Sequence, residues 1–193
     1  MRALSGASPR LAEDGVQRLI AEGATLIVSF GLAGGLDASL APGDVILASR
    51  IVTPGGDAFP ADVSLAKFLP EAKTLAMAGI DSPAASPFAK HALRAATGAS
   101  AVDMESHIAA RLAQDAGLPF VALRAVCDPA GQTLPQSALA ACGPDGKERL
   151  LPVLLTLLIH PGELPDLIRL AGQSQKALDA LKAALGLILQ QGA

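Results

Sequence analysis

The stretch Ala101-Val-Asp-Met-Glu-Ser-His-Ile-Ala-Ala-Arg-Leu-Ala-Gln-Asp-Ala-Gly-Leu-Pro-Phe-Val-Ala-Leu-Arg-Ala-Val-Cys-Asp128 sets two apolar runs on either side of a helical pattern. Residues 101–104 read as a short strand. Residues 105–116 place Ile108, Leu112 and Ala116 on one helical face, and Gly117 supplies a C-terminal cap. Residues 119–127 form the most continuous β-type run in the chain. Strand, helix, strand at this spacing predicts parallel pairing through a right-handed crossover.

The same alternation extends towards both ends. Residues 12–22 read as a helix stopped by Gly23, and residues 24–30 as a buried strand leading into a glycine loop, Gly31-Leu-Ala-Gly-Gly35. Pro42-Gly43-Asp44 is a turn that launches a strand over residues 45–52, because Pro presets one dihedral and Gly supplies a positive φ. Residues 53–61 read as a loop and residues 74–80 as a strand. The tail, residues 146–191, is helical with a break at His160-Pro161-Gly162, and Leu178, Leu181, Leu185 and Ile188 recur at helical spacing, to pack on the sheet or on a partner. The expected fold is α/β: one domain over residues 1–193, with a central mixed, largely parallel sheet between helices and a helical C-terminal extension from about residue 146.

Composition narrows the function. A chain of 193 residues with 51% hydrophobic and 17% charged residues can bury a sizeable core. A formal charge of −3, no run of Lys or Arg, no Trp and no Tyr argue against a nucleic-acid partner. Cys127 and Cys142 lie in a chain without a secretory pattern, so both are read as buried, inert thiols in a reducing cytosol. The most apolar stretch, Leu150–Ile159, is about half the ~20 residues a membrane-spanning helix needs. His91, His107 and His160 lack metal-ligand spacing, and no metal is assigned.

Three segments carry chemistry. Ser29-Phe-Gly-Leu-Ala-Gly-Gly-Leu-Asp37 is either a tight turn or a nest whose backbone N–H groups accept an anion. Glu105 stands at the positive end of the following helix, where it accepts hydrogen bonds from a sugar diol unless Asp103 or Glu105 only caps the helix. Asp128, just past a long buried strand and before Pro129, is either a turn residue or a partly desolvated general acid for a heterocyclic leaving group.

In this order the segments resemble the purine nucleoside phosphorylase and methylthioadenosine/S-adenosylhomocysteine nucleosidase superfamily. They stand here as Gly31-Leu-Ala-Gly-Gly35, Pro42-Gly-Asp44, Val102-Asp-Met-Glu105 and Leu123-Arg-Ala-Val-Cys-Asp128. The resemblance spans approximately residues 5–130 and implies a three-layer phosphorylase/hydrolase-like fold. It further implies that Met104 and Glu105 bind ribose, that Asp128 protonates or hydrogen-bonds the purine, and that Ser29, Gly31, Leu32, Ala33 and Gly34 line the base and phosphate pocket. Ser29-to-Asp37, Val-Asp-Met-Glu-Ser-His107 and Pro161-Gly-Glu-Leu-Pro165 are closer still to the hopanoid-associated phosphorylases, which implies a lipid-linked adenosine such as adenosylhopane as substrate and a cytosolic enzyme peripheral at the inner membrane.

Two departures qualify what is carried over. Met1-Arg-Ala-Leu-Ser-Gly6 reads as a later strand of the pattern, so the superfamily's amino-terminal strand is expected to be absent from this sequence. Where many phosphorylases place Arg and Ser around the first glycine of the loop, this chain has Ser29 and Leu32, which leaves the nucleophile open between inorganic phosphate and water. No other cofactor is implied. A homo-oligomer is expected, with residues 178–188 as a contact. The competing expectation is a nucleoside-binding protein that keeps the fold without turnover.

Overall fold

The computed structural model describes residues 1–3, 8–141 and 150–191. Helix α1 (Pro9–Ala21) starts where Ser8 caps it, its hydroxyl accepting the Leu11 N–H at 3.5 Å, with Pro9 in the first turn. Strands β1 (Ile27–Gly35), β2 (Val45–Val52) and β3 (Ala58–Pro60) follow, then a 3-10 turn (Ser64–Phe68) and β4 (Lys73–Gly79). Helix α2 (Pro87–Thr97), β5 (Ala101–Asp103), α3 (Ser106–Asp115) and β6 (Phe120–Asp128) complete the body. The tail comprises α4 (Gln136–Ala141), α5 (Leu150–Ile159), a 3-10 turn (Pro161–Glu163) and α6 (Leu164–Gln191).

The six strands run β3-β2-β4-β5-β1-β6, and β6 pairs back onto β2. That last pairing closes β1, β2, β4, β5 and β6 into a barrel-like ring with β3 appended. The longest ladders, β1 with β6 and β2 with β4, are parallel, whereas β1–β5, β2–β3 and β2–β6 are antiparallel. Both faces of β6 are covered: Phe120, Ala122 and Val126 join a core with α1 and α3, while Val121, Leu123 and Ala125 pack under Ala177, Leu181 and Ala184 of α6. Burial on both sides is what makes this strand a continuous apolar run.

Several expectations change in three dimensions. The runs at residues 101–104 and 119–127 do not pair with each other; β1 lies between them, antiparallel to β5 and parallel to β6. Gly31 to Gly35 are strand, not loop, and none has a positive φ, so no anion nest forms there. Their missing side chains serve close packing instead. Residues 53–61 contain a hairpin: Thr53 N–H donates to Asp57 O, Gly56 has φ +96°, and β3 returns along β2. Helix α2 was not anticipated. Of the tail stripe, Leu181 is buried while Leu178 and Leu185 face outward at 41% and 40% exposure. Residues 1–3 have no regular structure, and residues 4–7, Cys142 and residues 143–149 lie outside the described residues.

Turn chemistry follows the reading at Pro42-Gly43-Asp44. Gly43 has φ +96°, and Asp44 accepts the Ala41 N–H at 2.9 Å and the Lys73 ammonium at 2.7 Å, tying the starts of β2 and β4. No helix among the described residues is long and apolar enough to cross a membrane.

Candidate active site

The ladder between β1 and β6 sets Ala33 opposite Val126 but Gly34 opposite Asp128, so Cys127 is an extra residue on β6. This bulge at the strand's end re-aims Asp128. A Cβ on Gly34 would stand 3.1 Å from Oδ2 and 3.4 Å from Oδ1 of Asp128, so bare glycine is what lets the carboxylate lie against β1.

Asp128 is 5% exposed and Lys90, on α2, only 1%. The Lys90 Nζ donates to Asp128 Oδ2 at 2.5 Å, to Pro129 O at 2.7 Å and to Gln132 O at 3.2 Å. Three acceptors satisfy a buried ammonium completely. The Cys127 thiol donates to Asp128 Oδ1 at 3.0 Å; burial, then the Asp128 charge, pushes its pKa far up, which keeps it an unreactive thiol.

Two carboxylates compete for the start of α3, and the structure separates them. Asp103 takes the cap: each of its oxygens accepts the Ser106 N–H at 3.2 Å, and Oδ2 also accepts the Ser106 hydroxyl at 2.6 Å and Arg124 Nε at 2.7 Å. Glu105, at the N-cap position itself, makes no side-chain cap hydrogen bond, and its Oε2 lies 3.9 Å from Arg124 Nη2. Its carboxylate therefore sits at a positive helix end without being spent on holding that end.

Arg124 was not singled out from sequence, yet it organises the floor of the site. It is 1% exposed, and Nη2 donates to Ser29 Oγ at 2.7 Å and Ser106 Oγ at 3.1 Å. Nη1 is buried with no partner among the described residues. A Cβ on Gly31 would approach that nitrogen to 2.9 Å, so Gly31 makes room for the guanidinium.

These groups border two clefts that share Glu105. One, of about 460 Å³, is lined by Met104, Glu105 and Asp128 together with Leu32, Ala33 and Gly34. Its roof is apolar, from Leu134, Ala138 and Leu139 at α4 and Leu170 of α6. The volume is in the range of small-molecule sites. The second, of about 520 Å³, contains Ser29 and runs along Ile27 to Phe30 beside α1. Ser29 thus faces the neighbouring cleft, and Gly31 is absent from the lining of both. The roof is pinned from the tail: Glu163 accepts the backbone N–H of Gln136 at 3.1 Å and of Ser137 at 2.9 Å. The Ser137 N–H is the main cause that holds the Glu163 carboxyl below its ordinary range.

Residues 4–158 match the family model described as the phosphorylase superfamily. Among solved structures, a 5′-methylthioadenosine/S-adenosylhomocysteine nucleosidase from Colwellia psychrerythraea in complex with adenine aligns with TM-score 0.59 and 24% identity over 66% of this chain and 64% of that one. This chain therefore spans a little under two thirds of that enzyme's length. A futalosine hydrolase mutant of Helicobacter pylori aligns with TM-score 0.59 and 22% identity over 65% of this chain and 67% of that one. An S-adenosylhomocysteine nucleosidase from Streptococcus pyogenes, in complex with a methylthio nucleoside analogue, aligns with TM-score 0.62 and 21% identity over 92% of this chain and 75% of that one. At these identities the likeness is one of fold. No curated protein sequence matches significantly.

Proposed function

The chain belongs to the phosphorylase superfamily, and from that premise we propose that it cleaves the N-glycosidic bond of a purine nucleoside, with adenine as the departing base. One observation carries the reading: Glu105, released from capping by Asp103, and Asp128, aimed by a strand bulge, line the same cleft. As the C1′–N9 bond lengthens, its electron pair moves into the purine and positive charge grows on the ribose. Glu105 accepts hydrogen bonds from the ribose diol with Met104 beside the sugar, and Asp128 meets the purine ring nitrogen that gains a proton. Interactions that strengthen as these charges separate lower the barrier.

Phosphate or water then attacks C1′. The Arg124 guanidinium, whose Nη2 lies beside Glu105 and Ser29, supports either an anion or a polarised water near the floor of the site. A finer reading, a lipid-linked adenosine such as adenosylhopane, draws support from the apolar roof and from Leu158, Ile159 and Ile168, which are 79%, 73% and 63% exposed around the α5–α6 elbow. The same exposed residues support a peripheral encounter with a membrane. Outward-facing Leu178 and Leu185 support a homo-oligomer, with light scattering as its check.

Incubation with adenosine and with 5′-alkylated adenosines, with and without phosphate, tests the proposal by release of adenine. Asp128→Asn is expected to suppress release by about 10²-fold or more. Binding without turnover in the unmodified chain establishes the nucleoside-binding alternative instead.

A further inference from the structure

We propose that one face of α6 is a self-association surface, on which a second copy of the chain lays its own α6 antiparallel. This names the surface and the direction of the self-association put forward above, rests on that reading, and is independent of the reaction. Two faces of α6 carry apolar residues. One is used inside the chain: Ala177, Leu181 and Ala184 are 0%, 2% and 5% exposed where they pack under β6. The other carries Leu164, Ile168, Leu178, Leu185 and Leu189, which are 49%, 63%, 41%, 40% and 65% exposed. These five fall on a line whose steps alternate between four and three residues along the whole helix. That spacing is the seam by which one helix pairs with another. Leu158 and Ile159 belong to α5 and lie outside it.

The residues that complete the line select the occupant and its direction. Lys182 holds one position, its side chain 72% exposed and its ammonium donating to Asp179 Oδ1 at 3.3 Å. A parallel copy would set Lys182 against Lys182, two like charges in one contact. Reversing the copy sets Lys182 against Ala171, whose small side chain leaves room for the lysine stem along the seam while the ammonium stays in water. The same reversal sets Leu164 against Leu189 and Ile168 against Leu185, so the apolar start of each helix meets the apolar end of the other. The helix dipoles then oppose, which favours the pair further.

Two glycines fit the same arrangement. Gly172 and Gly186 flank the seam two repeats apart, and among the described residues nothing lies within 4 Å of where a Cβ on either would stand. Glycine weakens a helix interior, and no described group of the chain itself uses the space. A second helix does: in the antiparallel register Gly172 and Gly186 face Asp179 and Pro165 of the second copy. One helix face from each copy is a small interface, so the dimer is expected to dissociate on dilution.

The test is sedimentation velocity of the unmodified chain from low to several hundred micromolar, where a shift from monomer to dimer is expected. Leu178→Lys combined with Leu185→Lys is expected to weaken self-association by about 10²-fold or more, with the circular dichroism spectrum unchanged. Lys182→Leu, at a well-exposed position, is expected to tighten it by about 10-fold. Direction is read from Ile168→Cys and Leu185→Cys chains oxidised separately and mixed, with the unmodified chain as the control for its own thiols. Antiparallel seating cross-links the mixture faster than either variant alone. Each variant cross-linking alone as fast as the mixture overturns the proposal, as does a dimer that neither the paired lysines nor Lys182→Leu alters. Should the paired lysines fail to fold, Lys182→Leu without tightening and a mixture without cross-links overturn it by themselves. Adsorption of a chain that stays monomeric to phosphatidylcholine vesicles, lost with the paired lysines, gives the stripe to lipid and overturns it too. A monomer at every concentration sinks the self-association reading along with this surface, whereas absence of adenine release sinks only the reading of the reaction.

Discussion

Glu105→Gln tests whether the carboxylate beside α3 serves substrate or fold, and Asp103→Asn is its control. A hydrogen bond from a diol to a carboxylate contributes about 1.5–3 kcal/mol. That converts to roughly 10- to 150-fold in kcat/KM. Stability should respond less to Glu105→Gln than to Asp103→Asn, because Glu105 makes no side-chain bond that caps α3 and its contact with the Arg124 Nη2 is long, at 3.9 Å. Asp103→Asn removes one half of a buried pair, since the Asp103 and Arg124 side chains are 4% and 1% exposed. Breaking such a pair costs about 3–5 kcal/mol, which in a domain of this size lowers Tm by roughly 6–20 °C. The assay is adenine release from adenosine and from 2′-deoxyadenosine, with thermal unfolding in parallel. Glu105→Gln should lose activity and most of its preference for the 2′-hydroxyl while keeping Tm. Equal activity of the unmodified chain on both substrates, a preference left unchanged in Glu105→Gln, or a Tm drop matching that of Asp103→Asn, would refute the assignment of the diol to Glu105.

Gly34→Ala places a methyl 3.1 Å from Asp128 Oδ2, and Lys90 keeps that carboxylate from retreating. A displacement of a few tenths of an ångström is expected to cost about 10-fold in kcat/KM, given that ~1 Å misplacements cost ~10²-fold; unchanged kinetics would show that the carboxylate is not held against β1. The Glu163 carboxyl is held below its ordinary pKa of 4.5, chiefly by the Ser137 N–H, so its hold on α4 is complete above the unfolded value and is lost as pH falls through the lowered folded one. Hydrogen exchange should therefore show α4 losing protection on acidification, with Glu163→Gln exchanging faster at neutral pH and losing this acid dependence.

The most consequential gap between sequence and structure is Lys90. The signals for α2 were present: Ser86 caps it, Pro87 sits in its first turn and Gly98 ends it at φ +67°. Even with the helix assigned, Lys90 would have read as a solvated charge, because its partner Asp128 is 38 residues away. Asp103 and Glu105 posed a different difficulty. Either can reach the N–H groups opening α3, so the choice rests on Arg124, which approaches Asp103 from β6 and leaves Glu105 to the cleft.

The glycine run shows the same division. Its residues announce a place where something comes close, and something does: the Arg124 guanidinium over Gly31 and the Asp128 carboxylate over Gly34. An extended run of glycines and a looped one are indistinguishable in local pattern, and the ladder with β6 makes it extended.

Periodicity, turn residues and the order of the motifs determined the α/β class, the buried strand over residues 119–127, the break at residues 160–162 and the acids worth testing. These features depend on residues within a few positions of one another. Which strand lies between β5 and β6, which acid caps α3 and which cation meets Asp128 were decided only by the folded chain. Each depends on groups far apart along the polymer meeting at hydrogen-bond distance, and no local pattern carries that geometry.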